Sequence, residues 1–147
     1  MNEPEVDLYS KGMPGIWHVA FYSLPDAPPA WWERFSPFGF RHVLAFGFSV
    51  YSDRWMVYDV TRDRTIIMAL HAADFTPWLA GLPEHRRILR LPLAVEPRAS
   101  KLRLGFWCTR AVAHLLGIPS RALRPHGLYR ELQARGAVPA FVPAEPD

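Results

Sequence analysis

The stretch RHVLAFGFSVYSDRWMVYDV, residues 41–60, decides the fold of this chain. Both halves are rich in β-branched and aromatic residues, which favour strands, and the short segment Tyr51–Asp53 between them favours a tight connection. The pattern predicts an antiparallel hairpin of Arg41–Val50 and Arg54–Val60. After a polar turn, the apolar run TIIMAL at Thr65–Leu70 extends this hairpin to a three-stranded meander.

Strands are also predicted on both sides of the meander. Upstream, IWHVAFY at Ile16–Tyr22 is a short β-rich run that ends in a proline-rich loop. Downstream, ILRLPL at Ile88–Leu93 favours a further strand. We place that strand at an edge of the sheet, because Pro92 cannot donate a ladder hydrogen bond.

The segment Ala72–Leu82, which follows the meander, has an ambiguous pattern. Asp74 favours the start of a short helix, whereas Pro77 and Gly81 limit its length. Before the meander, three aromatic residues have helix-like spacing and favour a short helix or an aromatic turn; they are Trp31, Trp32 and Phe35.

The C-terminal part of the chain is predicted to be helical. A first helix, Cys108–Leu116, is followed by Gly117 at the position that C-terminal caps prefer. A second helix runs from about Pro125 to Arg135, with proline in its first turn and Gly136 just past its end. The apolar face of the first helix consists of Ala111, Val112, Leu115 and Leu116.

Length and composition agree with one α+β domain over residues 1–147. The chain is 50% hydrophobic, 14% aromatic and only 21% charged, which excludes the composition of a disordered protein. We predict an antiparallel meander sheet packed against the C-terminal helices. Residues 1–14 and 137–147 are predicted to be extended tails.

The sequence also bears on compartment. No apolar run approaches the roughly 20 residues that a membrane-spanning helix needs. The N-terminus MNEPEVDLYSKG is acidic and polar, unlike a secretory signal. A single cysteine cannot form an internal disulfide, which favours a reducing compartment. We therefore expect a cytoplasmic or virion-associated protein without a membrane partner.

Charge is distributed unevenly along the chain. Residues 1–83 carry 6 Lys and Arg against 9 Asp and Glu, whereas residues 84–147 carry 11 against 5. A basic half can meet an acidic partner or nucleic acid, but arginines more often solvate helix surfaces. No nucleic-acid-binding motif accompanies the basic residues, so nucleic acid is an improbable partner. The candidate contacts would be Arg86, Arg87, Arg90, Arg98, Lys101 and Arg103.

The best candidate for chemistry is Cys108, the only cysteine of the chain. It lies in GFWCTR, at the boundary between a loop and a predicted helix. The free N–H groups and the dipole of a helix N-terminus stabilise a thiolate, which is the nucleophilic form of cysteine. The same N–H groups can hold an oxyanion, and Arg110 can add positive potential.

A nucleophilic cysteine needs a base, and His42 in the clearest strand is the candidate. If the hairpin bends near Tyr51, Asp59 on the returning strand falls nearly opposite His42. A carboxylate there can orient the imidazole. Cys108, His42 and Asp59 would then be nucleophile, base and orienting residue.

The order strand-His, neighbouring strand-Asp, helix-Cys resembles the circularly permuted branch of the NlpC/P60 and papain-like superfamily. The segments GFWCTRAVAHLLGI and PHGLYREL resemble the cysteine helix and the next helix of small phage-encoded and bacterial relatives. The resemblance covers about residues 40–135. It implies that Cys108 is the nucleophile, His42 the base and Asp59 the polar third residue. The chain departs from the family at Trp107, where an Asn or Ser is usual.

Each of these residues also has a purely structural interpretation. Cys108 beside a tryptophan is equally well a small buried hydrophobe. His42 can be a satisfied core histidine, Asp59 a turn residue, and His18 a substitute base or simply a packed side chain. No pair of histidines has convincing metal-ligand spacing and no phosphate-binding motif occurs, so we predict no metal or cofactor.

Two functions remain open at this point. The first is a cysteine hydrolase or acyltransferase acting on a peptide, cell-wall or acyl substrate, as the resemblance implies. The second is a catalytically silent phage or virion structural or assembly protein that binds other subunits through exposed aromatic residues. Six tryptophans are many for a small core to hide, and exposed tryptophans anchor protein interfaces.

Overall fold

The computed structural model describes residues 12–24, 33–61, 63–91 and 107–140. These residues form six strands and three α-helices, with one short 3-10 helix at Glu33–Phe35. The strands are β1 (Trp17–Tyr22), β2 (His42–Ser49), β3 (Arg54–Val60), β4 (Thr65–Leu70), β5 (Arg87–Arg90) and β6 (Val138–Pro139). The helices are α1 (Ala72–Ala80), α2 (Trp107–Leu115) and α3 (Pro125–Ala134).

The strands form one antiparallel sheet in the order β4-β3-β2-β1-β5-β6. Strands β1 to β4 therefore make a consecutive meander, and β5 returns to the free side of β1. The β2–β3 hairpin turns at residues 50–53, where Asp53 has a positive φ of 53°. Aspartate tolerates this left-handed conformation better than most residues, which allows so short a connection. The predicted α+β class with a meander sheet is confirmed.

Strand alternation sends side chains to two apolar clusters on opposite faces of the sheet. One cluster joins Val19, Phe21 and Val43 to α2 and α3. The other joins Leu44 and Phe46 to α1. Both faces of the sheet are therefore covered by helices, and the central strands β1 and β2 are almost completely buried.

Glycines end both C-terminal helices, as the sequence predicts. Gly117 has a φ of 62° and Gly136 a φ of 91°, conformations that cost glycine little. After α2 the N–H of Ile118 donates to the carbonyl of Ala113, and after α3 the N–H of Ala137 donates to Leu132. These paired bonds satisfy the last carbonyls of each helix and fix where the chain leaves it.

The prediction that the strand after the meander lies at the sheet edge is wrong. Strand β5 is not an edge strand, because Val138 and Pro139 pair with Arg90 and Leu89 on its outer side. Part of the predicted C-terminal tail therefore belongs to the sheet. Pro92, the residue behind the edge prediction, lies outside the described residues.

The segment after the meander, whose sequence pattern is ambiguous, forms helix α1. It begins after His71, whose side chain makes no cap hydrogen bond, and it continues through Pro77. Its buried residues Phe75 and Leu79 pack on the sheet, and this burial offsets the backbone hydrogen bond that proline removes. Asp74 lies within the first turn and not at the cap position.

Some predictions concern residues outside the described ranges. They include the basic connector with Arg98, Lys101 and Arg103, the pair Trp31 and Trp32, and the tail residues 1–11 and 141–147. Among the described residues, no helix has both the length and the apolar character needed to cross a membrane.

Candidate active site

Three strand ends and one helix start meet at the same end of the sheet. Strand β1 ends at Tyr22, β2 begins at His42, and Asp59 is the last but one residue of β3. Tyr22 and His42 are register partners in the β1–β2 pair. Helix α2 packs against β2 and β3 and starts at Trp107, which brings Cys108 to this end.

His42 and Asp59 form a direct contact. The imidazole Nε2 lies 2.7 Å from the carboxylate Oδ1, a short distance typical of a charge-assisted hydrogen bond. Both side chains are largely buried but reachable, with 17% and 16% of their surface exposed. Their diagonal placement follows from the register, since β3 returns antiparallel beside β2 and ends next to the start of β2.

Cys108 lies close enough to His42 to affect the protonation of the imidazole. Because Nε2 contacts Asp59, Nδ1 is the ring nitrogen that remains free for a proton exchange with the sulfur. Burial alone would lower the pKa of His42, but the hydrogen bond with Asp59, the neighbouring thiol of Cys108 and the charges of both groups raise this pKa to about 9. The imidazole is therefore protonated at neutral pH, between a carboxylate and a thiol.

Helix α2 holds Cys108 through its buried face. Val112 and Ala113 pack in the cluster beneath the sheet, and the Arg110 guanidinium donates to the carbonyl of Ser120 at 2.8 Å. Cys108 itself is half-buried and lies in the first turn, where backbone N–H groups lack acceptors within the helix. Its neighbour Trp107 is 64% exposed. The thiol is thus anchored by a packed helix and still open to a reactant.

Tyr22 is a residue of this site that the sequence did not indicate. It is 5% exposed, and its ring meets the His42 ring edge-on, with centroids 5.2 Å apart and planes at 68°. Burial and the charges of Asp59 and Cys108 raise the pKa of Tyr22 far above its ordinary value, so the phenol stays neutral. This contact depends on the register in which β1 pairs with β2, and the local sequence of neither strand determines that register.

The structure brings the three predicted residues Cys108, His42 and Asp59 together and places His18 elsewhere. His18 lies between aromatic rings, stacked 5.1 Å from Phe46 with nearly parallel planes. It does not join the Cys108 site. Two other histidines also have structural contacts: His85 accepts from the Ser23 N–H, and His126 packs on Phe40.

Three of the four tryptophans in the described residues do not contribute an exposed surface. Trp17 is buried, and Trp55 and Trp78 pack partly buried with Phe46 and Phe75. The expectation of exposed tryptophans is therefore wrong for these three, whereas Trp107, beside Cys108, is exposed.

Within the described ranges, no three His, Cys, Asp or Glu side chains are arranged to hold a metal ion. Comparison with protein-family models, with curated proteins and with solved structures gives no match to this chain. Function is therefore inferred from the geometry of Cys108, His42 and Asp59.

Proposed function

We propose that the protein is a cysteine hydrolase or acyltransferase of the permuted NlpC/P60 type that acts on an amide or acyl bond. Cys108 is the nucleophile, His42 the base and Asp59 the residue that orients the imidazole. One observation carries the proposal: a single imidazole contacts a carboxylate at 2.7 Å, and its pKa is raised both by that carboxylate and by a nearby cysteine at a helix start. A histidine that only fills space needs neither partner.

In the first half of the proposed reaction, the Cys108 proton resides on His42 and the sulfur attacks the substrate carbonyl carbon. The S–C bond forms, and the carbonyl π electrons move to the oxygen. Backbone N–H groups in the first turn of α2 are placed to stabilise that oxyanion. When the oxyanion collapses, the bond to the leaving group breaks, and His42 gives its proton to the departing nitrogen or oxygen.

The second half regenerates the enzyme from the thioester on Cys108. Neutral His42 takes a proton from water, the hydroxide oxygen attacks the thioester carbon, and the C–S bond breaks to release a carboxylic acid. An amine or alcohol in place of water gives acyl transfer instead. Throughout, Asp59 keeps Nε2 engaged, so that Nδ1 continues to face the sulfur. Peptide, cell-wall and acyl substrates all fit this chemistry.

The proposal is tested by trapping the acyl-enzyme. The purified protein is mixed with p-nitrophenyl acetate at pH 7, quenched after increasing times and measured by intact mass and peptide mapping. We expect a burst of p-nitrophenolate, an acetyl group on Cys108, and its loss on longer incubation. Cys108→Ala should abolish the burst, and His42→Ala should slow it by about a hundredfold or more. Equal rates in the wild type and both variants would overturn the proposal.

One observation favours the alternative, a catalytically silent structural or assembly protein. Phe35, Phe38 and Leu123 are 63%, 64% and 55% exposed, and Arg124 lies over the Phe35 ring. Exposed aromatic side chains with an arginine beside them are typical of protein interfaces. A wild-type protein without any acyl adduct on Cys108 would support this function in place of the hydrolase.

A further inference from the structure

The ring of Tyr22 packs against one side of the His42 imidazole. Tyr22 closes one side of the imidazole with the edge-on ring contact at 5.2 Å, and both residues sit opposite each other on paired strands. Since β1 and β2 are central strands of the sheet, the backbone under both side chains is firmly held. The relative position of the two rings is therefore set by the sheet.

This ring contact affects the orientation of His42, because an imidazole rotates about its Cβ–Cγ bond and this torsion has a broad energy minimum. The hydrogen bond to Asp59 restrains Nε2, but rotation of the ring swings Nδ1 relative to the sulfur of Cys108. Aromatic pairs hold a preferred edge-to-face arrangement and resist such rotation. A neutral ring also adds no charge that would compete with His42 for the carboxylate or the thiolate.

We propose that Tyr22 is a positioning residue whose ring fixes the plane of His42, so that Nδ1 faces Cys108 while Nε2 faces Asp59. This inference rests on the proposed function, because it concerns the competence of the same Cys108–His42 pair. The aromatic ring of Tyr22, and not its hydroxyl, orients His42. Phenylalanine at position 22 therefore serves as well as tyrosine, whereas leucine does not.

The test compares Tyr22→Phe with Tyr22→Leu, measuring the second-order rate of iodoacetamide alkylation of Cys108 between about pH 5 and pH 10. We expect Tyr22→Phe to keep the wild-type rate at pH 6 and Tyr22→Leu to lower it about tenfold, a population ratio that one aromatic contact can control. Both rates should converge above pH 9, where His42 loses the proton that its position would deliver. NMR titration should show the pKa of His42 falling in Tyr22→Leu alone.

Phe75→Leu is the matched control. Phe75 of α1 is as buried as Tyr22 and belongs to the same apolar cluster, but its ring contacts are with Phe46, Trp55 and Trp78. It should lower thermal stability and leave the alkylation profile unchanged. A loss at pH 6 in Phe75→Leu equal to that in Tyr22→Leu would reduce Tyr22 to ordinary packing and overturn the inference.

The remaining outcomes separate the two proposals. If His42→Ala slows alkylation at pH 6 but Tyr22→Leu does not, the positioning role is overturned and the hydrolase proposal stands. If Tyr22→Phe is as slow as Tyr22→Leu, the hydroxyl matters and the ring proposal is overturned. If His42→Ala has no effect, the proposed function fails first. Should Tyr22→Leu not fold, nuclear Overhauser contacts between the Tyr22 and His42 rings in the wild type support the inference, and their absence overturns it.

Discussion

His18 and His42 lie on neighbouring strands of the same sheet, and their surroundings shift their pKa values in opposite directions. Burial lowers the pKa of His18, and the positive charge of Arg90 lowers it further. Burial acts on His42 in the same sense, but Asp59 and Cys108 reverse the effect and raise its pKa to about 9. Desolvation is common to both sites. The partner groups determine which histidine carries a proton at neutral pH.

The region around His18 is an aromatic cluster. Phe46 stacks on His18, and Trp55 stacks on Phe75 with centroids 4.0 Å apart. Among the described residues, neither a carboxylate nor any other hydrogen-bond partner reaches the buried Nδ1 atom of His18. A neutral ring fits such a site, and an imidazolium does not. His18 therefore serves as a packing residue, and the sheet end with His42 is where proton chemistry is possible.

The largest effect expected from this contrast is on the reactivity of Cys108. At pH 6, His42→Ala should slow alkylation by iodoacetamide about a hundredfold or more, since the thiolate loses its imidazolium partner. His18→Ala removes a similarly placed ring from the adjacent strand and should leave the rate within about twofold of wild type. Equal losses in the two variants would erase the distinction between the histidines and point to general unfolding.

The second effect concerns alkaline stability. A group whose folded pKa is raised from 6.5 to about 9 stabilises the fold fully below pH 6.5, and this contribution disappears as pH rises through 9. The shift corresponds to about 3 kcal/mol in the free energy of unfolding. Urea denaturation at pH 6.5 and pH 9.5 measures it. Asp59→Asn, which removes the carboxylate partner of His42, should lose clearly less stability over this interval than the wild type does.

Much of this fold could be predicted because its signals are local. Apolar alternation and a short turn indicate β2 and β3, and glycine with a positive φ marks the ends of α2 and α3 at Gly117 and Gly136. The pair His42 and Asp59 was accessible for the same reason, since a hairpin fixes which residues lie opposite. A cysteine at a helix start is also a local feature, which made Cys108 a candidate.

The features that were missed depend on distant contacts. Strand β6 has two residues, one of them Pro139, and forms only because α3 returns the chain to β5. Tyr22 joins the site through pairing of β1 with β2, about twenty positions away in sequence. Helix α1 continues through Pro77 because Phe75 and Leu79 find an apolar face to cover. Tertiary burial, which no short window of sequence contains, decides all three.

The third effect concerns folding stability at acid pH and arises from the titration of His18. A histidine whose folded pKa lies below 6.5 destabilises the fold as pH falls below that value, because the unfolded chain binds the proton more readily. His18→Phe should stack on Phe46 in the same way, remove the unpaired Nδ1 and gain about 1 kcal/mol at pH 7. Between pH 6.5 and 5 its stability should decline less steeply than that of the wild type. A parallel decline in both proteins would show that His18 does not titrate in this range.

The smallest effect is expected from Arg90, the register partner of His18 on β5. The Arg90 side chain is exposed, so water and salt screen its charge, and Arg90→Gln should change the free energy of unfolding by no more than about 0.5 kcal/mol. Its removal should nevertheless let the pKa of His18 rise, while the pKa of His42 stays where Asp59 and Cys108 hold it. NMR titration of the histidine ring protons at low salt measures both pKa values in one sample.

The control is Arg87→Gln. Arg87 is an exposed arginine on the same strand, its register partner is Phe21, and its substitution should change the pKa of neither histidine. If Arg90→Gln shifted His42 as much as His18, charge would act across the whole sheet, and local partners alone could not explain why the two histidines differ.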